Sequence, residues 1–344
     1  MAHRIAVAIL NWNGEKFLRL FLPSVIEHSQ HIADVVVIDN ASTDGSVALL
    51  ESEFPSVQVV RLSHNFGFAG GYNRGLMGLQ YEYVVLLNSD VEVTPQWIEP
   101  VLAYMDQHPE MAACQPKILD YHNKSMFEYA GGAGGYMDKD GFAFCAGRIF
   151  FEFEKDLGQF NANEEVFWAS GAAMFIRLDR WQEVAGLDED FFAHMEEIDL
   201  CWRLKNRGYT IGACRQSSVF HYGGGTLDRQ SSFKTYLNFR NSLYLIVKNE
   251  RMGHLFFKVM RRLILDGIAG VRFLFEGKFS HCWAVVRAHF SFYKRLTSVL
   301  DKRRRELRYG TSPNPTGRLN RSIVWLFFVG RVKSVAQLNR ADFL

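Results

Sequence analysis

Short apolar runs alternate with helical periodicity through the first 110 residues, and this pattern constrains the fold more than any other feature of the chain. Nearly continuous apolar strands that alternate with helices are typical of a parallel sheet covered on both faces. Right-handed crossovers place the carboxyl ends of such strands at one edge, where open α/β sheets bind ligands. The predicted strands are residues 5–10, 35–39, 57–62 and 84–87, and the predicted helices are 15–30, 45–54, 69–79 and 96–107.

The regular alternation stops near residue 110. Residues 120–160 are rich in glycine, which indicates a long functional loop or a small hairpin. After them the pattern predicts a strand at 172–176, helices near 179–185 and up to residue 207, short strands at 210–214 and 218–221, and helices from residue 233 onward. We therefore predict three parts, at residues 1–110, 111–232 and 233–344.

Charge is distributed unevenly along the 344 residues. The net charge is +2, but residues 1–250 carry −12 and residues 251–344 carry +14. An acidic body with a basic tail predicts an anionic partner for the tail. The five cysteines include no CxxC pair, which argues against a disulfide framework or a zinc site and favours a reducing compartment. Neither a signal peptide nor a membrane-spanning helix is predicted.

Polar residues follow the first two predicted strands. The first strand ends in NWNG, with Asn11 and Asn13, and a single glycine there does not match a dinucleotide-binding turn. The second ends in IDNASTDGS, which places Asp39 and Asp44 at the ligand edge, where a carboxylate can bind a ribose hydroxyl or a base N–H. Helix capping by Asp44 and turn closure by Asp39 remain open as alternatives.

The third and fourth strands also lead into polar segments. HNFGFAGGYNRG has three close glycines before a helix, an arrangement that lets backbone N–H groups approach an anion. LLNSDVEV places Asp90, and with it Glu92, at the same edge. A hard divalent cation that bridges two phosphates needs only one or two protein carboxylates. A turn aspartate is the alternative for Asp90 taken alone.

The segment HMEEIDLCWR holds three carboxylates, Glu196, Glu197 and Asp199, among aromatic residues. If a helix begins near Glu196, Asp199 and Arg203 can pair at i and i+4, while Glu197 lies about 100° around the helix from Glu196. The acids can be an ordinary acidic first turn that the helix dipole favours. A tuned acid–base site is the other interpretation, because like charges and apolar neighbours raise carboxyl pKa values.

Together these motifs resemble a family 2 glycosyltransferase of the GT-A fold, in its bacterial rhamnosyltransferase-like branch, over residues 4–250. The resemblance rests on LNWNG, VVVIDNASTDGS, NFGFAGGYNRG, LLNSDVEV, WASGAAMFIR, GLDEDFFAHMEEIDLCWR and VFHYGGG. It implies a Rossmann-like, mostly parallel sheet with helices on both faces, as in nucleotide-diphospho-sugar transferases, and a C-terminal helical extension. Residues 1–110 would be the nucleotide-sugar-binding half, 111–232 the acceptor-binding and catalytic half, and 233–344 the extension.

The resemblance also implies roles for individual residues. Glu197, at a position where the family commonly has Asp, would be the catalytic base. Glu196 would be its neighbour. Asp90 would hold Mg²⁺ or Mn²⁺, with Asn88 in place of the first Asp of the DxD motif, and His221 would contact the diphosphate or the metal. The implied nucleotide-binding residues are Asn11, Asn13, Asp39, Asp44, Asn65, Gly67 and Asn73. The implied donor and acceptor contacts are Asn88, Trp168, Ser170 and Gly171.

The implied activity is inverting transfer of a hexosyl or deoxyhexosyl group from a nucleotide-diphosphate sugar, of the UDP or dTDP type. The acceptor would be a hydroxyl of a glycan or a polyprenol-linked saccharide in surface polysaccharide synthesis. Two alternatives stay open. A sugar nucleotidyltransferase needs a basic, glycine-rich loop after the first strand, which NWNGEKF matches poorly. A non-catalytic sugar-nucleotide or glycan-binding protein is the second alternative, and the presence of Asp90, Glu197 and His221 argues against it.

The basic tail predicts amphipathic helices. Lys258, Arg262 and Asp266 recur at i+4 among dense apolar residues, and DKRRRELR follows at 301–308. Aromatic-rich helices with basic polar faces suit an anionic membrane surface. We expect a cytoplasmic protein that is peripheral on the inner face of the cell membrane, and no nucleic-acid partner, because no recognition motif accompanies the charge. A helical subdomain packed on the core is the alternative.

Overall fold

The computed structural model describes residues 3–223, 231–251, 253, 255–310 and 315–344. Its helices are α1 Glu15–Ser29, α2 Ser46–Glu53, α3 Gly67–Gly75, α4 Glu99–Gln107, α5 Leu178–Glu183, α6 Glu196–Asn206, α7 Ser232–Asn249, α8 Leu255–Phe275, α9 Phe279–Glu306 and α10 Ile323–Phe328. Its strands are β1 Ile5–Asn11, β2 Ala33–Asp39, β3 Gln58–Arg61, β4 Tyr83–Asn88, β5 Val91–Val93, β6 Met111–Asp120, β7 Gly135–Asp138, β8 Ala143–Cys145, β9 Arg148–Ile149, β10 Glu152–Phe153, β11 Glu164–Val166, β12 Ala173–Arg177, β13 Thr210–His221 and β14 Arg318–Leu319.

The main sheet has nine strands, in the order β11-β13-β6-β12-β4-β1-β2-β3 with β5 paired to β13. Strands β4, β1, β2 and β3 are parallel, as the sequence predicted. The register sets Asn11 beside Asp39 and Leu10 beside Asn88. The polar residues that end these strands therefore meet at one edge of the sheet.

The other half of the sheet is mixed. β12 runs antiparallel to both β4 and β6, because the chain enters it from the ligand edge. The backbone N–H of Asn88 donates to the carbonyl of Ala172 at 3.0 Å, so the residues before β12 lie beside the end of β4. The two short strands predicted at 210–214 and 218–221 form one strand, β13, with a bulge between Cys214 and Ser218.

The glycine-rich segment contains a second sheet rather than a loop or a single hairpin. Its order is β10-β9-β8-β7-β14, and its last strand comes from the C-terminal part of the chain. The backbone of Gly135 lies directly against the ring of Trp168, because a Cβ at this position would be 2.1 Å from that ring. The indole N–H of Trp168 donates to the carbonyl of Tyr136 at 3.0 Å. This sheet therefore packs directly against a predicted site residue.

Both faces of the main sheet are covered. Successive residues of β1 point to opposite sides, as strand geometry requires. Val7 belongs to the apolar cluster that includes Leu18 of α1 and Val101 of α4, whereas Ala8 belongs to the cluster that includes Tyr72 of α3. The two layers explain why the strands read as continuous apolar runs, since no face meets water.

Helix α8 presents its apolar side outward. Arg262 and Asp266 are buried and joined at 2.8 Å, and Arg262 also donates to Ser242 of α7 at 2.8 Å. An amphipathic membrane helix would turn this polar stripe to water. Here the stripe faces the protein, because the paired charges satisfy each other there. The exposed apolar residues, which we call the α8–α9 apolar face, are Phe256, Phe257, Ile264, Ile268, Phe275, Phe279, Trp283, Phe290 and Tyr293. None of the described helices combines the length and the apolar character that crossing a membrane requires.

A buried ionic network joins α6 to α7 and α9. Asp199 accepts from Arg203 Nε at 2.7 Å, as the i, i+4 spacing predicted, and from Lys248 Nζ at 2.8 Å. Lys248 also donates to Asp188 at 2.6 Å, and Lys302 of α9 pairs with the same carboxylate. Burial opposes ionisation of Asp199 and Asp188, but the surrounding cations outweigh burial and lower both pKa values. Asp199 is therefore a structural carboxylate.

Replacing Lys248 by Met should destabilise the fold, because it leaves two buried carboxylates without their shared cation. Breaking a buried pair costs about 3–5 kcal/mol, which urea unfolding at pH 7 would measure. The depressed pKa values stabilise the fold above the unfolded aspartate pKa of about 3.9, and this contribution is lost as pH falls below that value. Lys248→Met should therefore lose less stability than the wild type on acidification. The exposed Lys294→Met is the control, and equal unfolding midpoints for both variants would contradict the prediction.

Candidate active site

The loops after β1 and β2 are joined through predicted nucleotide-binding residues. Asn11 donates from Nδ2 to Asp39 Oδ1 at 3.3 Å and to Ser42 Oγ at 3.1 Å. Asn13 Oδ1 accepts from the backbone N–H of Thr43 at 2.7 Å. Asn11 Oδ1 is buried without a partner among the described residues. This edge is rigid, and it retains one buried acceptor for a ligand.

Other predicted nucleotide residues already have structural contacts. Asp44 accepts from the backbone N–H groups of Glu15 and Ser46, at 3.1 and 3.0 Å, and therefore holds the starts of α1 and α2, which matches the capping alternative. Asn73 bonds in both directions with the backbone of Leu187, at 2.8 and 2.9 Å. That contact places α3 against the loop that leads to the acidic segment. A nucleotide role for Asp44 and Asn73 stays a prediction.

Asn65 and Gly67 shape the turn into α3. The side-chain oxygen of Asn65 accepts from Asn40 Nδ2 at 2.9 Å and from the N–H of Gly67 at 2.8 Å. Gly67 has a φ of 72°, a left-handed conformation that glycine adopts without strain. The turn lies near Phe192, whose ring would be about 4.0 Å from a Cβ at Gly67. The glycine-rich loop thus reaches the acidic segment.

A cavity of about 600 Å³ opens where β4 and β13 end. It brings together eight of the predicted site residues: Asn88, Asp90, Trp168, Ser170, Gly171, Glu196, Glu197 and His221. Asn11, Asn13, Asp39, Asp44, Asn65, Gly67 and Asn73 do not line it and lie on the adjoining strand ends and loops. The predicted residues therefore form two neighbouring groups along one edge of the sheet.

Asp90 and His221 lie together with a carboxylate that the sequence reasoning missed. His221 Nε2 is 3.2 Å from Asp90 Oδ1, and His221 Nδ1 is 3.2 Å from Oε2 of the buried Glu128. Burial alone would lower the pKa of His221, but the two carboxylates raise it to about 10. The position therefore favours positive charge. Glu128 lies in the irregular part of the chain, where spacing carries no signal for it. Gly224 and Gly225 of the VFHYGGG motif lie outside the described residues.

Glu196 and Glu197 begin α6 and project into the cavity. Each has one carboxylate oxygen that is buried and has no hydrogen-bond partner among the described residues. Burial, the carboxylate of Glu197 and that of Asp199 raise the pKa of Glu196 well above its ordinary value. Burial raises the pKa of Glu197 to about 7. The surroundings of Glu196 thus favour its protonated form, while Glu197, with a pKa of about 7, exchanges a proton readily near neutral pH.

The segment before these acids has a strained backbone. Phe192, His194 and Met195 have φ values of 67°, 67° and 75°. Non-glycine residues in this region cost about 1–3 kcal/mol each and persist where surrounding contacts enforce them. Asn241 of α7 supplies such contacts: its Nδ2 is 2.9, 2.9 and 2.7 Å from the carbonyl oxygens of Phe191, Ala193 and His194. The sequence offers no distinct signal for Asn241, because α7 carries polar residues along its whole length.

Residues 6–177, half of the chain, match the model of glycosyl transferase family 2. The chain belongs to this family. Among curated relatives, the low-salt glycan biosynthesis hexosyltransferase Agl10 of Haloferax volcanii is 24% identical, over 82% of this chain and 88% of its own length. The N-acetylglucosaminyl-diphospho-decaprenol L-rhamnosyltransferase of Mycobacterium tuberculosis is 22% identical, over 74% of this chain and 87% of its own.

Solved structures of glycosyltransferases share the fold. The mannosyltransferase PcManGT of Pyrobaculum calidifontis, in complex with GDP-Man and Mn²⁺, aligns with a TM-score of 0.53 and 12% identity, over 85% of this chain and 88% of its own. GalNAc-T7 with UDP, GalNAc and Mn²⁺ aligns with a TM-score of 0.56 and 16% identity, over 72% of this chain. The alignment spans about half of the GalNAc-T7 chain, 48%. The GT-A fold predicted from the sequence is confirmed.

In this family 2 glycosyltransferase, Asn241 should set the position of the two glutamates. We expect Asn241→Asp to lower kcat at least tenfold, because a carboxylate would face three carbonyl oxygens and displace the loop before α6. The KM for the donor should change little, since Asn241 contacts the loop before α6 and not the strand ends. Steady-state kinetics with a sugar donor and acceptor would measure kcat and the donor KM separately. Asn320→Asp, at an exposed asparagine, is the control, and a tenfold rise in donor KM with unchanged kcat would contradict the assignment.

Proposed function

We propose that this protein is an inverting glycosyltransferase of surface polysaccharide synthesis. It would move a hexosyl or deoxyhexosyl group from a nucleotide-diphosphate sugar, of the UDP or dTDP type, to a hydroxyl of a glycan or polyprenol-linked saccharide. One observation carries the proposal. Glu196 and Glu197 place unpartnered carboxyl oxygens in the same cavity as Asp90 and His221. A base and a position that favours positive charge thus lie in one enclosed space, as a single displacement requires.

The donor would bind along the strand edge. Asn11 and Asp39 would hold the nucleoside, and Asn88, Trp168, Ser170 and Gly171 would surround the sugar beside the diphosphate. Among the described residues, no set of three or more His, Cys, Asp and Glu side chains forms a metal cage. Mg²⁺ or Mn²⁺ would be held by Asp90, by phosphate oxygens and by His221, whose proton the metal would displace. When bound, it would neutralise charge on the diphosphate. PcManGT and GalNAc-T7 were solved with Mn²⁺ and nucleotide ligands, which supports this assignment.

The chemical step uses the two glutamates differently. Glu197, with a pKa of about 7, would take the proton from the acceptor hydroxyl. The hydroxyl oxygen forms a bond to the anomeric carbon as the bond from that carbon to the diphosphate breaks, and the electron pair leaves with the diphosphate. One displacement inverts the anomeric centre. Glu196, whose surroundings favour its protonated form, would donate a hydrogen bond within the site rather than accept the proton.

A lipid-linked acceptor is the finer part of the proposal. The Mycobacterium tuberculosis relative is named for a decaprenol-linked acceptor. The α8–α9 apolar face gives this chain a surface that a membrane would cover, with exposed side chains such as Trp283 at 60% and Phe290 at 69%. Basic residues of the same helices would add attraction to anionic lipids of about 1 kcal/mol each. We therefore place the protein in the cytoplasm, peripheral on the inner face of the cell membrane.

Glu197→Gln should lower kcat by about 10²–10⁴-fold, the contribution of general-base catalysis, while donor binding survives. Glu196→Gln is the matched control and should lose much less. A base with a pKa of about 7 is active above that pH. The wild-type rate should therefore rise with pH and level off above about 7, and Glu196→Gln should keep this profile. Nucleotide diphosphate release, followed across pH, is the measurement. If Glu196→Gln loses transfer activity while Glu197→Gln keeps a near-normal rate, the base is Glu196 instead.

Membrane docking should depend on the α8–α9 apolar face. The double variant Trp283→Ser, Phe290→Ser should bind anionic liposomes at least tenfold more weakly, because burying each large apolar side chain contributes about 1.5–3 kcal/mol. The control pair is Met77→Ser with Leu157→Ser, at positions that are 78% and 83% exposed outside these helices. Liposome co-sedimentation at low and high salt would measure both. Equal binding of the two double variants would refute the docking surface.

A further inference from the structure

Two cations lie on one aromatic ring in the cavity wall and have no assigned task. The guanidinium carbon of Arg148 is 3.9 Å from the centre of the Tyr129 ring, and Lys234 Nζ is 4.6 Å from the same centre. All three residues line the cavity that holds the glutamates. Cation–π contacts stabilise each charge, but two like charges on one ring repel each other. An anion between them would relieve that repulsion.

Neither cation has a carboxylate partner within ion-pair distance among the described residues. Arg148 donates from Nη1 to the carbonyl of Phe150 at 3.0 Å, while its Nε is buried and lacks a partner within the described part of the chain. The buried Arg203, by contrast, bonds to Asp199 and to two carbonyls. Glu128 attracts Arg148 electrostatically from beyond ion-pair distance, so the two cations share this wall without a paired carboxylate in the ranges that the structure describes, and the buried Nε of Arg148 leaves a donor for an anionic ligand.

A third polar group faces the same space. His194 lines the cavity, and its Nε2 is buried without a partner among the described residues. Burial and the ammonium group of Lys234 lower the pKa of His194 to about 4, so the ring is neutral at neutral pH and adds no charge. The charge in this part of the cavity comes from Lys234 and Arg148. His194 lies two residues before Glu196, so the cations lie close to the acids.

The rest of this wall is aromatic. Phe144 of the second sheet and Phe142, Phe150 and Phe151 beside it line the cavity. Asp90 and His221, which the proposed function assigns to the donor, lie at the ends of the main-sheet strands instead. Lys234 belongs to α7, the helix that precedes the α8–α9 apolar face along the chain. This end of α7 lies against α9, because Thr235 Oγ1 is 2.8 Å from His281 Nδ1. The apolar face, the two cations and the glutamates therefore offer contacts to a ligand with an apolar chain, a doubly charged group and a sugar.

We propose that Lys234 and Arg148, on Tyr129, bind the diphosphate group of a lipid-linked acceptor. The inference rests on the proposed function and names its acceptor class: a saccharide joined through a diphosphate to an apolar chain. Charge-assisted hydrogen bonds from an ammonium and a guanidinium suit phosphate oxygens. The subsite would hold the acceptor so that its sugar hydroxyl reaches Glu197. No proton or group is transferred at the cations.

The first experiment measures binding and needs no turnover. Geranyl diphosphate, in the presence of saturating nucleoside diphosphate, is titrated into the wild-type protein by calorimetry, with geraniol as the uncharged comparison. Geranyl diphosphate should bind, and Lys234→Met should weaken its binding at least tenfold, as should Arg148→Met. Lys234→Arg should restore most of it, and the exposed Lys155→Met should behave as wild type. Thermal unfolding midpoints show whether each variant is folded.

The donor is the other source of a diphosphate, and the test separates the two. If nucleoside diphosphate displaces geranyl diphosphate, the cations serve the donor and the proposal fails. It also fails if Lys234→Met, with an unchanged unfolding midpoint, binds geranyl diphosphate as the wild type does.

A kinetic comparison tests the same assignment in the working enzyme. Transfer to a short-chain lipid diphosphate saccharide should show an acceptor KM raised at least tenfold in Lys234→Met, with donor KM unchanged. Transfer to a neutral alkyl glycoside of the same saccharide should be equal in the variant and the wild type. An equal loss on both acceptors would overturn the subsite. Failure of the wild type to transfer sugar to any acceptor would instead refute the proposed function, and the binding result would stand apart from it.

Discussion

The active site depends on a buried carboxylate that does no chemistry. Asp199 accepts hydrogen bonds from Arg203 within its own helix and from Lys248 and Asn249 of α7. Lys248 and Lys302 share Asp188, so the same charges fix the loop before the acids and reach α9. Buried ion pairs add little net stability, but removing one partner is costly, so such a network favours one arrangement over its alternatives. Here that arrangement places the amino end of α6, with both glutamates, in the cavity.

The same coupling accounts for the strained backbone beside the acids. Left-handed residues at His194 and Met195 would relax in an isolated loop, since nothing local favours them. Asn241 binds the carbonyls on one side of this strain, and the Asp199 network holds the helix on the other. Helix α7 therefore supports Glu196 and Glu197 from the part of the chain that follows the family 2 match. The helical region that carries the α8–α9 apolar face is thus continuous with the helix that positions Glu197.

The features that depend on strand periodicity and on the residues at strand ends could be predicted from the sequence. The parallel strands, the alignment of Asn11, Asp39 and Asn88, and the Asp199–Arg203 pair follow from local pattern and helix spacing. Glu128, Arg148 and Lys234 could not be found in this way. Glu128 lies in a loop, Arg148 in β9 of the second sheet and Lys234 in α7, and only the packing of these distant elements brings them to the cavity. Motif spacing predicts contacts between residues that are close in sequence, whereas these contacts form between residues that are far apart in the chain.

The orientation of α8 shows why helical periodicity alone could not settle the role of the basic tail. A polar stripe on an amphipathic helix normally faces water, yet Arg262 and Asp266 neutralise each other and can therefore pack inward. Once they do, the helix must expose side chains such as Phe256 and Ile268, which are stable there only if something apolar covers them. The α8–α9 apolar face and Lys234 then belong to consecutive helices of the chain. Under the proposed function, a lipid-linked saccharide would extend from the bilayer to Glu197 past these helices, so the buried pair that turns α8 would also set where the acceptor approaches.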